Sequence, residues 1–199
     1  MQLAKIASLL VLALGFTSCA QVTVKKTYVA TGALNPEAIY VRPFDTSKMV
    51  VRGDHGWDGE RAIHGSRAAN DFAHVLTKEL SKIAPAVQIT ESEVPSSGWI
   101  VDGEIDLLDG GLRAARGMVG FLGFGRSTVK MHVTVTDAAT GRTEYAFDIS
   151  GGSGLTGPAG NTGAPGIGDA RWFDYHNAAQ RIMLTLHPDP KNQGVRSAP

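Results

Sequence analysis

The sequence is short of three things: cysteine, an excess of charge of one sign, and long apolar runs. Its single cysteine, Cys19, excludes an internal disulfide and any zinc site built from cysteines. Lysine plus arginine and aspartate plus glutamate both number 19 in 199 residues, so the chain lacks the broad cationic surface that nucleic-acid binding requires. Hydrophobic residues make up 43% of the chain, which is enough to build a core. These values predict a folded domain that does not bind nucleic acid.

The first eighteen residues have the composition of a signal peptide. Lys5 is followed by an apolar run over 6–16, which is too short to cross about 30 Å of hydrocarbon as a helix. Two small residues, Thr17 and Ser18, then precede Cys19. This order of apolar run, small residues and cysteine resembles the lipobox of bacterial lipoproteins. The alternative is a soluble secreted protein that is cut nearby and keeps a free thiol.

The lipobox resemblance implies a membrane anchor. It implies cleavage between Ser18 and Cys19, diacylglycerol on the Cys19 thiol, and a fatty acid such as palmitate on the new amino group. Several buried acyl chains would hold the protein at a membrane, because each CH₂ contributes about 0.8 kcal/mol. Ala20 stands where a retention aspartate would keep a lipoprotein in the inner membrane. The resemblance therefore implies the outer membrane, with the protein facing the periplasm.

The mature chain reads as one domain between a tether and a tail. Residues 1–18 form the predicted signal peptide, 19–36 an acylated tether with a possible first strand, 37–187 the domain, and 188–199 a flexible tail. Within the domain, 151–168 carries glycine at every third position. That run is too short and too poor in proline for a stable collagen triple helix, so we predict a glycine-rich loop.

The hydrophobic pattern of the domain predicts both strands and helices. Apolar and polar residues alternate over 99–107, 129–135 and 145–149, which is typical of strands with one packed and one wet face. Apolar residues recur at helical spacing over about 58–84 and 170–186. We therefore predict an α+β fold: a mostly antiparallel sheet with two main helices packed on one face.

Several short motifs in the domain recur in the same order in one family. They are Gly103-Glu104, Gly111-Leu112-Arg113-Ala114-Ala115-Arg116, Gly123-Phe124-Gly125-Arg126-Ser127 with Val129, and Asp137 with Gly141. In order and spacing they resemble the bacterial lipoproteins of domain of unknown function 4410. The resemblance covers roughly residues 39–186. It implies an envelope lipoprotein and brings no established activity or catalytic residue with it.

The segment 117–125 combines four glycines with apolar side chains. A glycine-kinked turn or bulged strand with buried side chains is one interpretation. Contact with lipid or with a neighbouring subunit is another, because arginines flank the apolar residues. Phosphate binding is disfavoured, since a strand rather than a helix is predicted to follow the glycines. The residues assigned to lipid or partner contact are Arg116, Phe121, Leu122, Phe124 and Arg126.

A cluster of histidines and carboxylates near the first helix is the one candidate for a metal. Glu60 and His64 are four residues apart and would share one side of a helix, and such ligands suit zinc or manganese. A solvated helix start, where acids sit beside the positive end of the dipole, explains the same residues. The weak candidate ligands are His55, Asp58, Glu60 and His64.

No serine lies in a nucleophile-elbow context, and neither a catalytic constellation nor a cofactor motif can be nominated. We therefore predict a non-catalytic, lipid-anchored envelope protein with a binding or assembly role. Its expected partners are the membrane and another envelope protein or a cell-wall component. Two alternatives stay open: a metal-dependent hydrolase, and an oligomeric scaffold that contacts lipid through 117–125.

Overall fold

A computed structural model describes residues 23–30, 35–52, 58–110, 127–151 and 170–187. Seven strands and two helices lie in these ranges. In chain order they are β1 (Thr23–Val29), β2 (Ile39–Val41), β3 (Val50–Arg52), α1 (Asp58–Leu80), β4 (Ala86–Gln88), β5 (Trp99–Asp109), β6 (Thr128–Asp137), β7 (Thr143–Gly151) and α2 (Ala170–Leu186). None of the helices in the described ranges is long and apolar enough to cross a membrane.

The strands form one mixed sheet in the order β1-β7-β6-β5-β2-β4, with β3 beside β5. The pairs β1–β7, β6–β7 and β5–β6 are antiparallel, whereas β2–β4, β2–β5 and β3–β5 are parallel. The prediction of a mostly antiparallel sheet is therefore wrong. The prediction did not take into account that the long helix α1 lies between β2 and β4 in the chain. Parallel neighbours such as β2 and β4 require a crossover connection of this kind.

Both helices pack into a single core on one side of this sheet. The predicted stripe of α1 is confirmed at Phe72, Leu76 and Leu80, which are fully buried. Phe72 makes an edge-on ring contact with Phe44 at 5.0 Å and a tilted one with Tyr175 of α2 at 5.7 Å. These contacts join α1, α2 and the chain that follows β2, so Phe72 is central to the core.

Two polar contacts fix the position of α2 on the rest of the domain. The Ser127 hydroxyl, next to β6, donates to Asp174 Oδ1 at 2.9 Å, and both residues are buried. His176 Nδ1 lies 3.5 Å from Oε1 of the buried Glu79 on α1. A buried carboxyl with such a partner avoids most of the cost of desolvation and restricts how α2 can pack.

The turn between β6 and β7 follows from its sequence. Asp137 Oδ1 accepts hydrogen bonds from the Thr140 amide at 2.8 Å and the Thr140 hydroxyl at 2.7 Å. Gly141 has a φ of 69°, a left-handed conformation that glycine adopts more readily than other residues. At the sheet edge, the register of β1 against β7 shifts between Lys25 and Tyr28, so the edge strand contains a β-bulge.

Two cross-strand rows mark the ends of the sheet. The proximal row is Thr23, Ser150, Lys130, Leu107 and Val50, from β1 across to β3. The distal row is Val29, Tyr145, Val135, Val101, Val41 and Gln88, from β1 across to β4. On β6 the rows are five residues apart, from Lys130 to Val135, or about 17 Å at 3.4 Å per residue. Beyond the proximal row β3, β5 and β7 end and β6 begins.

Candidate binding groove

A groove of about 420 Å³ lies on the polar face of the sheet, between the proximal and distal rows. Polar side chains of β5 and β6 point to this face because residues alternate between the two sides of a strand. The chain after β2 and the chain after β4 form its other walls. Its lining residues are Arg42, Pro43, Asp45, Glu91, Asp102, Gly103, Glu104, His132 and Thr134.

Arg42 is held at one wall of the groove by three contacts. Its amide donates to the Val101 carbonyl at 3.0 Å, and its Nη2 donates to the Glu93 carbonyl at 2.8 Å. Its Nη1 lies 3.9 Å from Asp102 Oδ2, and the Arg42 side chain is only 22% exposed. Nε of Arg42 is buried and has no hydrogen-bond partner among the described residues. A guanidinium with a fixed position and remaining N–H groups is suited to binding an acceptor group of a ligand.

The loop that holds Arg42 is itself braced by Glu93. The Glu93 carboxylate accepts hydrogen bonds from the Thr90 amide at 3.0 Å and from the Thr90 hydroxyl at 2.8 Å. These hydrogen bonds, the amide first, lower the pKa of Glu93, since they favour the charged form. The carboxylate therefore stays ionised and keeps the Glu93 carbonyl directed at Arg42.

His132 belongs to a row of titratable residues that crosses the floor of the groove. Its Nδ1 lies 2.8 Å from Asp148 Oδ1, and the ring nitrogen donates because an ionised carboxylate can only accept. In register, His132 pairs with Glu104 on its other side, and Glu104 pairs with Asp45. The hydrogen bond to Asp148 fixes the imidazole and leaves Nε2 as the atom that can contact a ligand.

The carboxyls of the groove differ in how readily they ionise. The Ser47 amide donates to Asp45 at 2.7 Å and the Ser47 hydroxyl at 2.9 Å, and these hydrogen bonds lower the pKa of Asp45. Burial raises the pKa of Asp102, and the nearby charge of Arg42 opposes part of that shift. Asp45 therefore stays negatively charged, whereas ionisation of Asp102 is disfavoured by the burial of its carboxyl.

Replacing Asp102 with asparagine tests whether the pKa of Asp102 is raised, through the pH dependence of stability. A carboxyl whose pKa in the folded protein is raised above its ordinary value of 3.8 lowers the free energy of unfolding as the pH rises from 3.8 to the raised pKa. We expect the stability of Asp102→Asn relative to wild type to increase from pH 3.8 to the raised native pKa and then to level off. Denaturant unfolding at a series of pH values measures the difference. A difference that moves in favour of the wild type as the pH rises would show that Arg42 outweighs burial.

No group of three or more histidine, cysteine, aspartate or glutamate side chains in the described ranges is arranged to hold a metal ion. The groove nevertheless concentrates charge, because four carboxylates share its walls with one arginine and one histidine. Such a surface suits a ligand with several hydrogen-bond donors and a cationic group.

None of the residues that the sequence marked as functional is among the described residues that line this groove. Asp58, Glu60 and His64 lie in the first part of α1, over residues 58–66, where only the course of the backbone is described. The other predicted site residues fall outside the described ranges: Ser18, Cys19, His55, Arg116, Phe121, Leu122, Phe124 and Arg126. Lipidation of Cys19, lipid contact and the metal site therefore stay predictions.

The sequence pattern indicates the groove residues only in part. Alternation places Asp102, Glu104 and His132 on the wet side of their strands, and the structure confirms this. Their spacing does not reveal that Arg42 and Asp45, about sixty positions before Asp102 and Glu104, close the same groove. That proximity depends on the parallel pairing of β2 with β5, which the sequence prediction missed.

A comparison with protein families matches residues 39–157 to the family described as Domain of unknown function (DUF4410). The chain belongs to this family. Every residue that lines the groove lies within the matched range. No curated protein matches the sequence.

Two solved structures resemble the chain distantly. One is a PelC dodecamer from Paraburkholderia phytofirmans, with 11% identity, a TM-score of 0.46, and coverage of 81% of this chain and 96% of that one. The other is a dodecamer of a PelC variant from the same organism, with 10% identity, a TM-score of 0.42, and coverage of 82% and 98%.

Proposed function

We propose that this protein of the DUF4410 family is a lipid-anchored component of the bacterial cell envelope that binds another envelope component. The observation that carries the binding role is the groove on the polar face of the sheet. Both helices pack on the other side, so the groove is a part of the fold that a partner can approach. The anchor is supported by the apolar run 6–16 and the small residues before Cys19.

The groove favours recognition over catalysis. Arg42 contacts the Glu93 carbonyl and the Asp102 carboxylate, and His132 contacts the Asp148 carboxylate. The positions of these polar side chains are therefore fixed before a ligand binds. Preorganised polar groups of this kind add to affinity because little conformational freedom is lost on binding. The acidic excess of the walls favours a partner that presents basic side chains or amino groups.

Labelling of growing cells with radioactive palmitate tests the anchor. The wild-type protein should incorporate label, and Cys19→Ser should incorporate almost none, because the chain has no second cysteine that could be acylated. The mature N-terminus, read by mass spectrometry, should be Cys19 in the wild type. Equal labelling of both proteins would contradict the anchor.

Photo-crosslinking in intact cells tests the binding role. A photoreactive amino acid at Thr134, which lines the groove, should give a discrete crosslinked product that mass spectrometry can identify. The matched control is the same amino acid at His74, which is exposed on α1. A product from His74 with none from Thr134 would place the partner on the helices and overturn the assignment of the groove.

A further inference from the structure

We infer that the groove binds the end of a ligand that carries a carboxylate and an ammonium group together, as a terminal lysine-type diamino acid does. The carboxylate contacts Arg42, and the ammonium group contacts Asp45 and Glu104. This inference rests on the proposed binding role of the groove and names the chemistry of its ligand. The class of partner that fits is an envelope peptide that ends in a diamino acid.

The first subsite is a pair of like charges on neighbouring stretches of chain. Asp45 and Glu104 lie opposite each other in parallel register, line the groove and are both exposed. Like charges in such positions, about 4.8 Å apart across a sheet, are destabilising. Neither carboxylate forms an ion pair among the described residues, and the charge of Lys48 lowers the pKa of Asp45 less than the Ser47 hydrogen bonds do. A cation from a ligand would relieve this repulsion.

His132 extends this subsite without neutralising it. In register it lies on the other side of Glu104, and its Nδ1–H donates to Asp148. Nε2 of the neutral ring then carries a lone pair and can accept a hydrogen bond. An ammonium group has three N–H donors, and the row offers two carboxylates and Nε2 as acceptors. The acceptors of this row therefore suit an ammonium group.

The second subsite is the guanidinium of Arg42. Its Nη2 donates to the Glu93 carbonyl at 2.8 Å, whereas its Nη1 lies 3.9 Å from Asp102 Oδ2, which is beyond hydrogen-bond distance. Nη1 therefore keeps N–H groups that no acceptor among the described residues uses. A carboxylate is a strong acceptor for a guanidinium. Burial raises the pKa of Asp102, so a ligand carboxylate at Nη1 has a neighbour whose charged form is disfavoured.

The spacing of the two subsites selects the ligand. Arg42 lies beside Asp102 and Asp45 beside Glu104, and these two residues of β5 are two positions apart on one face. Two residues of a strand span about 7 Å. Lysine has a stem of four carbon atoms between its α-carbon and its ammonium group, so its terminal carboxylate and its side chain can reach both subsites. The α-amino and carboxyl groups of an amino acid are one carbon apart and cannot.

Three tripeptides test the inference by titration calorimetry with the full-length protein in detergent. Alanyl-alanyl-lysine carries both groups, its C-terminal amide lacks the carboxylate, and alanyl-alanyl-norleucine lacks the side-chain ammonium group. We expect the first to bind roughly tenfold more tightly than either analogue, because each analogue loses a charged hydrogen-bonding group. Equal binding of the first peptide and either analogue would overturn the assignment of two subsites.

Two variants assign each group of the peptide to its subsite. Arg42→Gln should remove the preference for the free carboxylate over the amide and keep the preference for lysine over norleucine, and Glu104→Gln should do the reverse. Asp71→Asn, on the exposed side of α1, is the control for a lost charge and should change neither preference. A folded variant that keeps the preference assigned to its own side chain would overturn the proposal. The comparison of peptides on the wild type tests it without any variant.

Failure of this inference can be told apart from failure of the proposed function. If none of the peptides binds while the photoreactive amino acid at Thr134 gives a crosslinked product, the groove has a partner of other chemistry and the inference is wrong. If both experiments fail, the binding role of the groove is wrong as well. Where the lysine peptide binds, a peptide that ends in meso-diaminopimelate distinguishes the two sources of this chemistry. Tighter binding than lysine indicates a cell-wall peptide, and weaker binding indicates the C-terminus of a protein.

Discussion

Gly103→Ala is expected to destabilise the domain by about 3 kcal/mol, because the added methyl group has no space. A Cβ at this position would lie 2.0 Å from the His132 carbonyl oxygen and 2.8 Å from Cε2 of Phe44. The oxygen belongs to the backbone of β6, so a rotamer change cannot relieve the overlap, and β5 and β6 would have to separate. Thermal unfolding should show a fall in Tm of roughly 6–12 °C for a chain of this size.

Gly141→Ala is the matched control for that variant. Apart from the residue itself and its two chain neighbours, no described atom lies within 4 Å of a Cβ built there, so its positive φ of 69° is what opposes the substitution. The left-handed conformation should cost about 1 kcal/mol. If Gly103→Ala unfolded no more easily than Gly141→Ala, the close approach of β5 to β6 and Phe44 would be wrong.

Phe72→Ala should be comparably severe and should act through the core rather than the sheet. The ring is fully buried and contacts Phe44 and Tyr175, so its removal leaves a cavity where α1, α2 and the chain after β2 meet. Such truncations cost about 3–5 kcal/mol. Equilibrium denaturation in urea measures the loss.

His74→Ala provides the comparison on the same helix. His74 is exposed, and surface substitutions of this type usually change stability by less than about 0.5 kcal/mol. A loss for Phe72→Ala no larger than the loss for His74→Ala would contradict the packing of α1 against α2.

Local features of this fold could be predicted from the sequence because they depend on neighbouring residues. The alternation around Val101 and Val133 reveals which side of each strand is buried, and the spacing of Phe72, Leu76 and Leu80 reveals a helix face. Gly141 marks a turn because few other residues tolerate its backbone conformation.

Strand direction could not be predicted in the same way. Alternation is identical in parallel and antiparallel strands, so β2 and β4, with only three residues each, carry no signal of their orientation. The groove was missed for the same reason. Asp102 is visible as a polar residue on a strand, but its neighbour Arg42 is brought to it only by the parallel pairing of β2 with β5.

The bulge in β1 has a consequence for copies that would share one bilayer if Cys19 is acylated as we propose. Confinement to a plane brings molecules together at high local concentration, and an intact outer strand is a template on which a second chain can extend the sheet. Between Lys25 and Tyr28 the regular spacing of the unpaired amides and carbonyls is interrupted. A neighbour docking along β1 would therefore lose alignment after a few residues, which disfavours extension of the sheet from this edge.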